Sequence, residues 1–402
     1  MYLVDKKNNI TFFLNLLLGV GLASLVMTKL RFASLVGFGE AVLMLFCLVG
    51  LTTFILKREI SLSNLFTAYS ELIFIYFIII LIPVTFINFS NGTFGTNLRD
   101  IAAYFICFTF LLYLSNYKIN VTQVSNSFII TFVIIELLII FLFPELGKYV
   151  NEQDPVTQSL FINRFTGGAK NPNQLAFYVI CALFILQKTS FSKITKAIIF
   201  VILILIGGLT LSDAYFLSIA SLIFLFLISK LNPPKYIKLS LTLFVFFLSM
   251  IYALFFNQIF NTIYDLYSYS NNGSPDSVRL FLYFEGISLW LSNIFILLFG
   301  NGAGAFIELT SNHTLEAHNT FIDALIIFGL VGSLLFFIIP LIALFKYYFS
   351  LNYLMFAIAS AVFIYCFFHY TARQPMFWFI IFLMINDFFP GNYSLKTNIK
   401  GS

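Results

Sequence analysis

Charge is scarce in this chain: Asp, Glu, Lys and Arg make up only 10% of its 402 residues, against about a quarter in soluble domains. With a mean hydropathy of +0.96, that shortage excludes an ordinary water-soluble domain. Cysteine is limited to Cys47, Cys107, Cys181 and Cys366, all inside apolar runs and with no CxxC pairing. They read as small buried hydrophobes, so neither a disulfide framework nor a thiolate metal site is expected. Metal-ligand spacing, HExxH, a P-loop and GxSxG are missing too, so the expectation is no metal and no cofactor. Internal repeats, low-complexity tracts and soluble linkers are also lacking. The expected organisation is one integral membrane domain over 1–402. The net charge of +5 matches lysines beside anionic lipid and gives no reason to expect nucleic acid.

What the chain has in quantity is long apolar runs near the length that crosses about 30 Å of hydrocarbon. Backbone polar groups must be satisfied within the lipid, and the runs are too long for barrel strands, so helices are required. The predicted fold is all-α and polytopic, with about twelve spans. They lie near 10–28, 33–56, 66–87, 100–115, 125–143, 172–187, 194–211, 214–229, 239–256, 320–345, 351–369 and 376–389. The first is long enough to remain as a span, so no cleavable signal is needed. With the start in the cytoplasm, 14 of the 22 Lys and Arg residues fall in inner loops, which places both termini in the cytoplasm. Lys29 and Arg31 go against this tally. Two outer loops are long, about 144–171 and 257–319.

On this topology all three histidines (His313, His318, His369) and five arginines (Arg31, Arg99, Arg164, Arg279, Arg373) share the outer side. Three helix starts there could hold an anion. In the first, Arg164 and Lys170 flank Gly167-Gly168 and precede Asn171-Pro172-Asn173, a capping residue followed by a proline preset for the first turn. A cationic helix N-terminus suits phosphate, although a capped loop with snorkelling cations explains the same residues. In the second, Ser274-Pro275-Asp276 starts a helix that carries Arg279 and, four residues on, Tyr283. So apolar a helix outside the spans lies in the interface or dips in as a re-entrant piece, and Arg279 alone could simply anchor it to headgroups. The third is Glu316-Ala317-His318-Asn319-Thr320, where Asn319 or Thr320 caps a span and Asp323 sits on the positive helix end. His318 there can exchange a proton near neutral pH.

Glu40, Glu71 and Glu136 fall within spans, where charge is expensive; with no partner visible in the sequence they read as helix-packing residues or neutral carboxyls. His369, Arg373 and Gln374 occupy the last outer turn and could line the same cavity. Gly300-Asn301-Gly302-Ala303-Gly304 reads as an outer-loop turn.

Taken in order, Arg164 before Asn171-Pro172-Asn173, Arg279 in the long loop, Phe299-Gly300-Asn301-Gly302-Ala303-Gly304, and His318-Asn319 opening a span resemble one family. This is the O-antigen polymerase and O-antigen ligase superfamily of bacterial cell-envelope glycosyltransferases. The resemblance covers roughly 160–345; the flanks match in hydropathy alone. It implies an inner-membrane enzyme with a periplasmic active site and an undecaprenyl-pyrophosphate-linked oligosaccharide as donor. Arg164 and Arg279, with Lys170 beside them, would bind the pyrophosphate, and His318 would take the proton from the acceptor hydroxyl. Asn319, Glu316, Asp323, Arg373 and Tyr283 are secondary candidates. One departure stands out: many relatives carry Ser-Arg in a short outer turn where this chain has Ser212-Asp213, and Arg373 could substitute.

The resemblance implies a metal-independent, inverting transfer. Two acceptors fit: the next lipid-linked repeat unit (a polymerase) or lipid A core (a ligase). Partners would be the lipid-linked glycan, the bilayer, a chain-length regulator and a flippase. The competing class is a lipid-linked glycan transporter, which would carry polar groups near the midplane at broken helices or between repeats.

Overall fold

The computed structural model describes residues 2–30, 37–56, 119–149, 164–231, 240–249, 275–304 and 319–387, with scattered positions at 86–114, 237, 251–252 and 306. Among the described residues the chain is helical and forms no strand; one isolated antiparallel bridge joins Lys148 to Phe165. Among the described residues two helices are long and apolar enough to cross a membrane, Val121–Leu142 and Thr320–Phe349, and shorter apolar helices accompany them. The chain divides into two compact units, Met1–Thr67 with Asn116–Ala220, and Ala68–Ser115 with Ser221–Ser402.

In the first unit, α1 (Tyr2–Ser24) packs on α2 (Phe38–Leu56) and α3 (Val121–Leu142). Asn15 of α1 donates to Gln123 Oε1 at 2.8 Å, and the Ser127 hydroxyl donates to the Leu16 carbonyl at 3.0 Å. A one-turn helix, α4 (Pro144–Gly147), follows, then α5 (Pro172–Gln187), α6 (Lys193–Leu209) and the start of α7 (Asp213–Leu231), which belongs to this unit as far as Ala220. The core helix is α5: every residue from Leu175 to Leu186 is buried, as an all-round apolar helix requires. Its neighbour α6 presents Ile194, Ile198, Val201, Leu205 and Leu209 on one stripe, with Ile194 76% exposed and Leu205 63% exposed. Such a stripe is unfavourable against water and compatible with lipid.

The second unit contains α8 (Pro275–Trp290), α9 (Ile294–Phe299), α10 (Thr320–Phe349), α11 (Tyr353–Cys366) and α12 (Pro375–Asn386). Helix α11 is buried from Met355 to Cys366 and α12 from Met376 to Ile385, and α10 carries an exposed apolar stripe through Leu334, Ile338, Leu341, Phe345 and Phe349.

Helix α10 is discontinuous. Gly329 leaves the helical region at φ 65, ψ −173, a conformation open to glycine. The break exposes carbonyls, and the Gly300–Gly302 turn covers them. Asn301 N–H donates to the Ile326 carbonyl at 2.8 Å, and Gly302 N–H donates to the Ile327 carbonyl at 3.1 Å. The backbones meet so closely that a Cβ on Gly329 would lie 2.4 Å from the Leu298 carbonyl.

The sequence reading placed this glycine turn in an outer loop. It docks instead about 10 Å along α10 from Thr320, at the rise of a helix. Part of the expected loop 257–319 is therefore packed against α10: Leu282 and Tyr283 of α8 form one buried cluster with Phe306, Ile322 and Ile326. Irregular backbone of this kind is tolerated in a membrane where protein covers it.

Candidate functional site: two capped helix mouths

The first mouth opens α5. Asn171 is extended, and its side-chain oxygen accepts from Asn173 N–H at 2.8 Å, with Pro172 in the first turn. This is the predicted cap. Arg164 is half-buried, its Nε donating to the Thr210 carbonyl at 2.9 Å and its Nη2 to Asn173 Oδ1 at 3.0 Å. The guanidinium is thus fixed between the end of α6 and the first turn of α5. Lys170 is exposed, and its backbone N–H donates to the Thr28 hydroxyl at 2.9 Å. That hydroxyl in turn donates to Gln174 Oε1 at 3.1 Å.

Beneath the loop lie two ionisable groups whose partners are not evident in the sequence. Lys29 Nζ donates to the Leu146 carbonyl, to the Lys148 carbonyl at 3.1 Å, to the Thr166 hydroxyl at 2.5 Å and to the Gly167 carbonyl at 3.4 Å. Burial lowers the pKa of this ammonium from its ordinary value, and the charge of Glu136 pulls the other way. Glu136, on α3, has no solvent exposure. Neither of its oxygens makes a full hydrogen bond among the described residues; the Gly168 amide and Lys29 are the favourable groups nearby. Gly167 sits on the carboxylate at φ +55, and a Cβ there would lie 1.9 Å from Glu136 Oε2. Lys29, which ran against the loop-charge tally, is tied into this loop.

The second mouth opens α10. Asn319 is 4% exposed, and its side-chain oxygen accepts from Phe321 N–H at 2.9 Å and Ile322 N–H at 3.2 Å. Asn319 is therefore the cap, and Thr320 has another task. The Thr320 hydroxyl donates to the His369 carbonyl at 2.6 Å and accepts from Thr371 N–H at 3.0 Å. The turn 367–374 is pinned to the start of α10 by these bonds.

Other contacts hold the same turn. Tyr283 on α8 is buried, with its hydroxyl 3.5 Å from the Phe367 carbonyl. Trp378 Nε1 donates to the Ala372 carbonyl at 2.7 Å. The His369 ring lies 5.1 Å from Tyr365, and the Arg373 guanidinium lies over the Tyr370 ring at 4.7 Å. Asp323, in the first turn of α10, is 3% exposed. This set gathers Asn319, Asp323, Tyr283, His369 and Arg373 of the predicted residues into one neighbourhood.

Arg279 lies on α8 one turn before Tyr283, and its side chain is outside the described residues. His318 and Glu316 also lie outside them. Arg164 and Lys170 belong to the first unit, and the others to the second.

Sequence reasoning missed Thr28, Thr210 and Thr371, gave Thr320 as an alternative cap, and named Lys29 without a structural role. Only Lys29 carried a signal, as a misplaced positive charge. Among the described residues no group of His, Cys, Asp or Glu could hold a metal ion. No protein family profile matches the chain, and no curated protein is significantly similar to it in sequence.

Proposed function

We propose that the protein is a polytopic inner-membrane glycosyltransferase of about twelve spans, with both termini cytoplasmic. It polymerises surface polysaccharide at the periplasmic face. The donor is a growing glycan on undecaprenyl pyrophosphate; the acceptor is the next lipid-linked repeat unit. The observation that carries the reading is the Arg164 guanidinium held by Asn173 and the Thr210 carbonyl at the capped start of α5. A helix N-terminus with a fixed arginine favours phosphate oxygens by hydrogen bond and by charge. The apolar stripes on α6 and α10 support the lipid environment that such a donor needs.

In this reaction the acceptor hydroxyl attacks the anomeric carbon as the bond to the pyrophosphate oxygen breaks. His318 takes the hydroxyl proton, and Arg164, Arg279 and Lys170 stabilise the departing pyrophosphate. One direct displacement inverts the anomeric centre. The leaving group is good, so positioning and charge stabilisation suffice. A positioned base adds about 10²–10⁴-fold.

The test is reconstitution of purified protein with defined lipid-linked units, reading the product ladder. Arg164→Ala, Arg279→Ala and His318→Ala should each leave a single repeat unit at normal protein abundance. Full ladders from all three would overturn the site assignment. A ligase would instead need lipid A core as acceptor and would leave long glycan on its carrier when it fails.

A second reading has a specific observation in its favour. The break in α10 at Gly329 is the discontinuous-helix feature on which transporters build their sites. A transporter would form no ladder from purified protein and lipid-linked units, where no crossing is required.

A further inference from the structure

We infer that Lys29 and the buried Glu136 are positioning residues: an internal ammonium and a buried carboxyl that brace the Thr166–Lys170 loop and thereby aim Arg164. The inference rests on the anion-binding reading of Arg164 above. Four oxygens converge on Lys29 Nζ, and they come from both sides of the loop: Leu146 and Lys148 before it, Thr166 and Gly167 within it. The backbone of Lys29 adds a further tie, its N–H donating to the Gly168 carbonyl at 3.1 Å. Lys29 thus acts as a tethered ammonium that draws the end of α4 and the start of the loop together.

Glu136 holds the same loop from below. Its carboxyl is packed against the Cα of Gly167, with the Gly168 amide and Lys29 close by.

The link to Arg164 is covalent and short. Phe165 N–H donates to the Leu209 carbonyl at 2.9 Å, and Thr166 N–H donates to the Gly147 carbonyl at 2.8 Å. Arg164 itself bonds the Thr210 carbonyl next to Leu209. The brace at Thr166–Gly168 therefore sets the register in which Arg164 meets α5. Neither Lys29 nor Glu136 needs to touch a ligand.

The experiment uses the full-length protein in nanodiscs with inorganic pyrophosphate as the probe, alongside hydrogen exchange at the amides of residues 166–170. Lys29→Ala alone removes the donor to the Leu146, Lys148, Thr166 and Gly167 oxygens and should loosen the loop. The double variant Lys29→Ala with Glu136→Gln leaves no ionisable group beneath the loop and should keep normal abundance. It should still show about tenfold weaker pyrophosphate binding and at least tenfold faster loop exchange. Methylammonium should restore both in Lys29→Ala by filling the vacated cradle; tetramethylammonium should restore neither.

Unchanged loop exchange in the double variant would overturn the brace. So would unchanged pyrophosphate affinity there, provided Arg164→Ala weakens it. Equal affinity in Arg164→Ala and the unsubstituted protein would instead overturn the anion reading of Arg164, and the inference built on it.

Discussion

The two helix mouths use the same opening device and secure it differently. Asn171 and Asn319 both cap helices through their side-chain oxygens. At the first mouth the supporting groups are ionisable: Lys29 on main-chain oxygens, Glu136 under Gly167, Arg164 on the Thr210 carbonyl. At the second they are neutral hydroxyls and rings: Thr320 with His369 and Thr371, Tyr283 with Phe367, and Tyr370 under Arg373. Cations and aromatic rings attract at modest strength, about 0.5–1 kcal/mol where exposed. The first mouth is thus held by hydrogen bonds from cationic donors. The second is held by hydrogen bonds between neutral groups, which lose their energy as soon as a partner is removed.

The largest effect should come from the glycines where backbone meets backbone or a buried carboxyl. Gly329→Ala puts a Cβ 2.4 Å from the Leu298 carbonyl at a positive φ. Main chain cannot swing aside, so a loss of about 4 kcal/mol or failure to fold is expected. Gly167→Ala meets the Glu136 side chain at 1.9 Å. A side chain can yield in part, so the loss should be about 3 kcal/mol. Thermal unfolding of detergent-purified protein checks both, and the reverse order would mean that the α10 clasp is the softer of the two.

Next come the hydroxyls. Thr320→Val keeps the shape but strips a fully buried network, leaving the Thr371 N–H and the His369 carbonyl without their bonds to this hydroxyl. That should cost about 2 kcal/mol. Thr28→Val removes the acceptor of the Lys170 N–H, but Lys170 is exposed and water can replace it, so the loss should stay below about 1 kcal/mol. Equal losses would remove the distinction between a buried and a wet mouth.

The caps should differ less. Asn171→Ala should cost about 1 kcal/mol, the usual value for a cap. Asn319→Ala should cost about 1.5 kcal/mol, because its site is buried and two amides lose their acceptor. Local hydrogen exchange at the first turns of α5 and α10 separates the two, and a larger effect at α5 would contradict the burial argument.

How much of this was legible in the sequence varies with range. Both caps, the Pro172 and Pro275 helix starts and the helical character of the apolar runs among the described residues follow from local rules and are observed. The break at Gly329 was not legible. Isolated glycines are common in apolar helices, and what makes this one a break is a turn some 30 residues earlier in the chain, around Gly300. For the same reason Glu136 had no visible partner: Lys29 and Gly167 are distant in sequence and meet only in the fold. The gathering of His369 and Arg373 at the start of α10 depends on the Thr320 hydroxyl, and threonine carries no sequence signal for that role.

The smallest expected effect separates the charged mouth from the neutral one by pH. Burial depresses the folded-state pKa of Lys29 below the 10.5 of the free side chain. Between that lowered value and 10.5 the unfolded chain binds more protons than the folded one, so stability rises with pH across the window. Below it the desolvation cost is present in full; above 10.5 it is gone. The rise should therefore appear on the alkaline side, as slower exchange in the amides of residues 166–170 after correction for intrinsic rates. The double variant Lys29→Ala with Glu136→Gln should be flat there. At the second mouth the Thr320 and Thr371 hydroxyls and the Asn319 cap do not titrate in that range, so residues 319–323 should show no matching rise. A fall in protection at the first mouth would mean that the four oxygens around Lys29 stabilise its charge more than burial penalises it, and would reverse the sign of the argument.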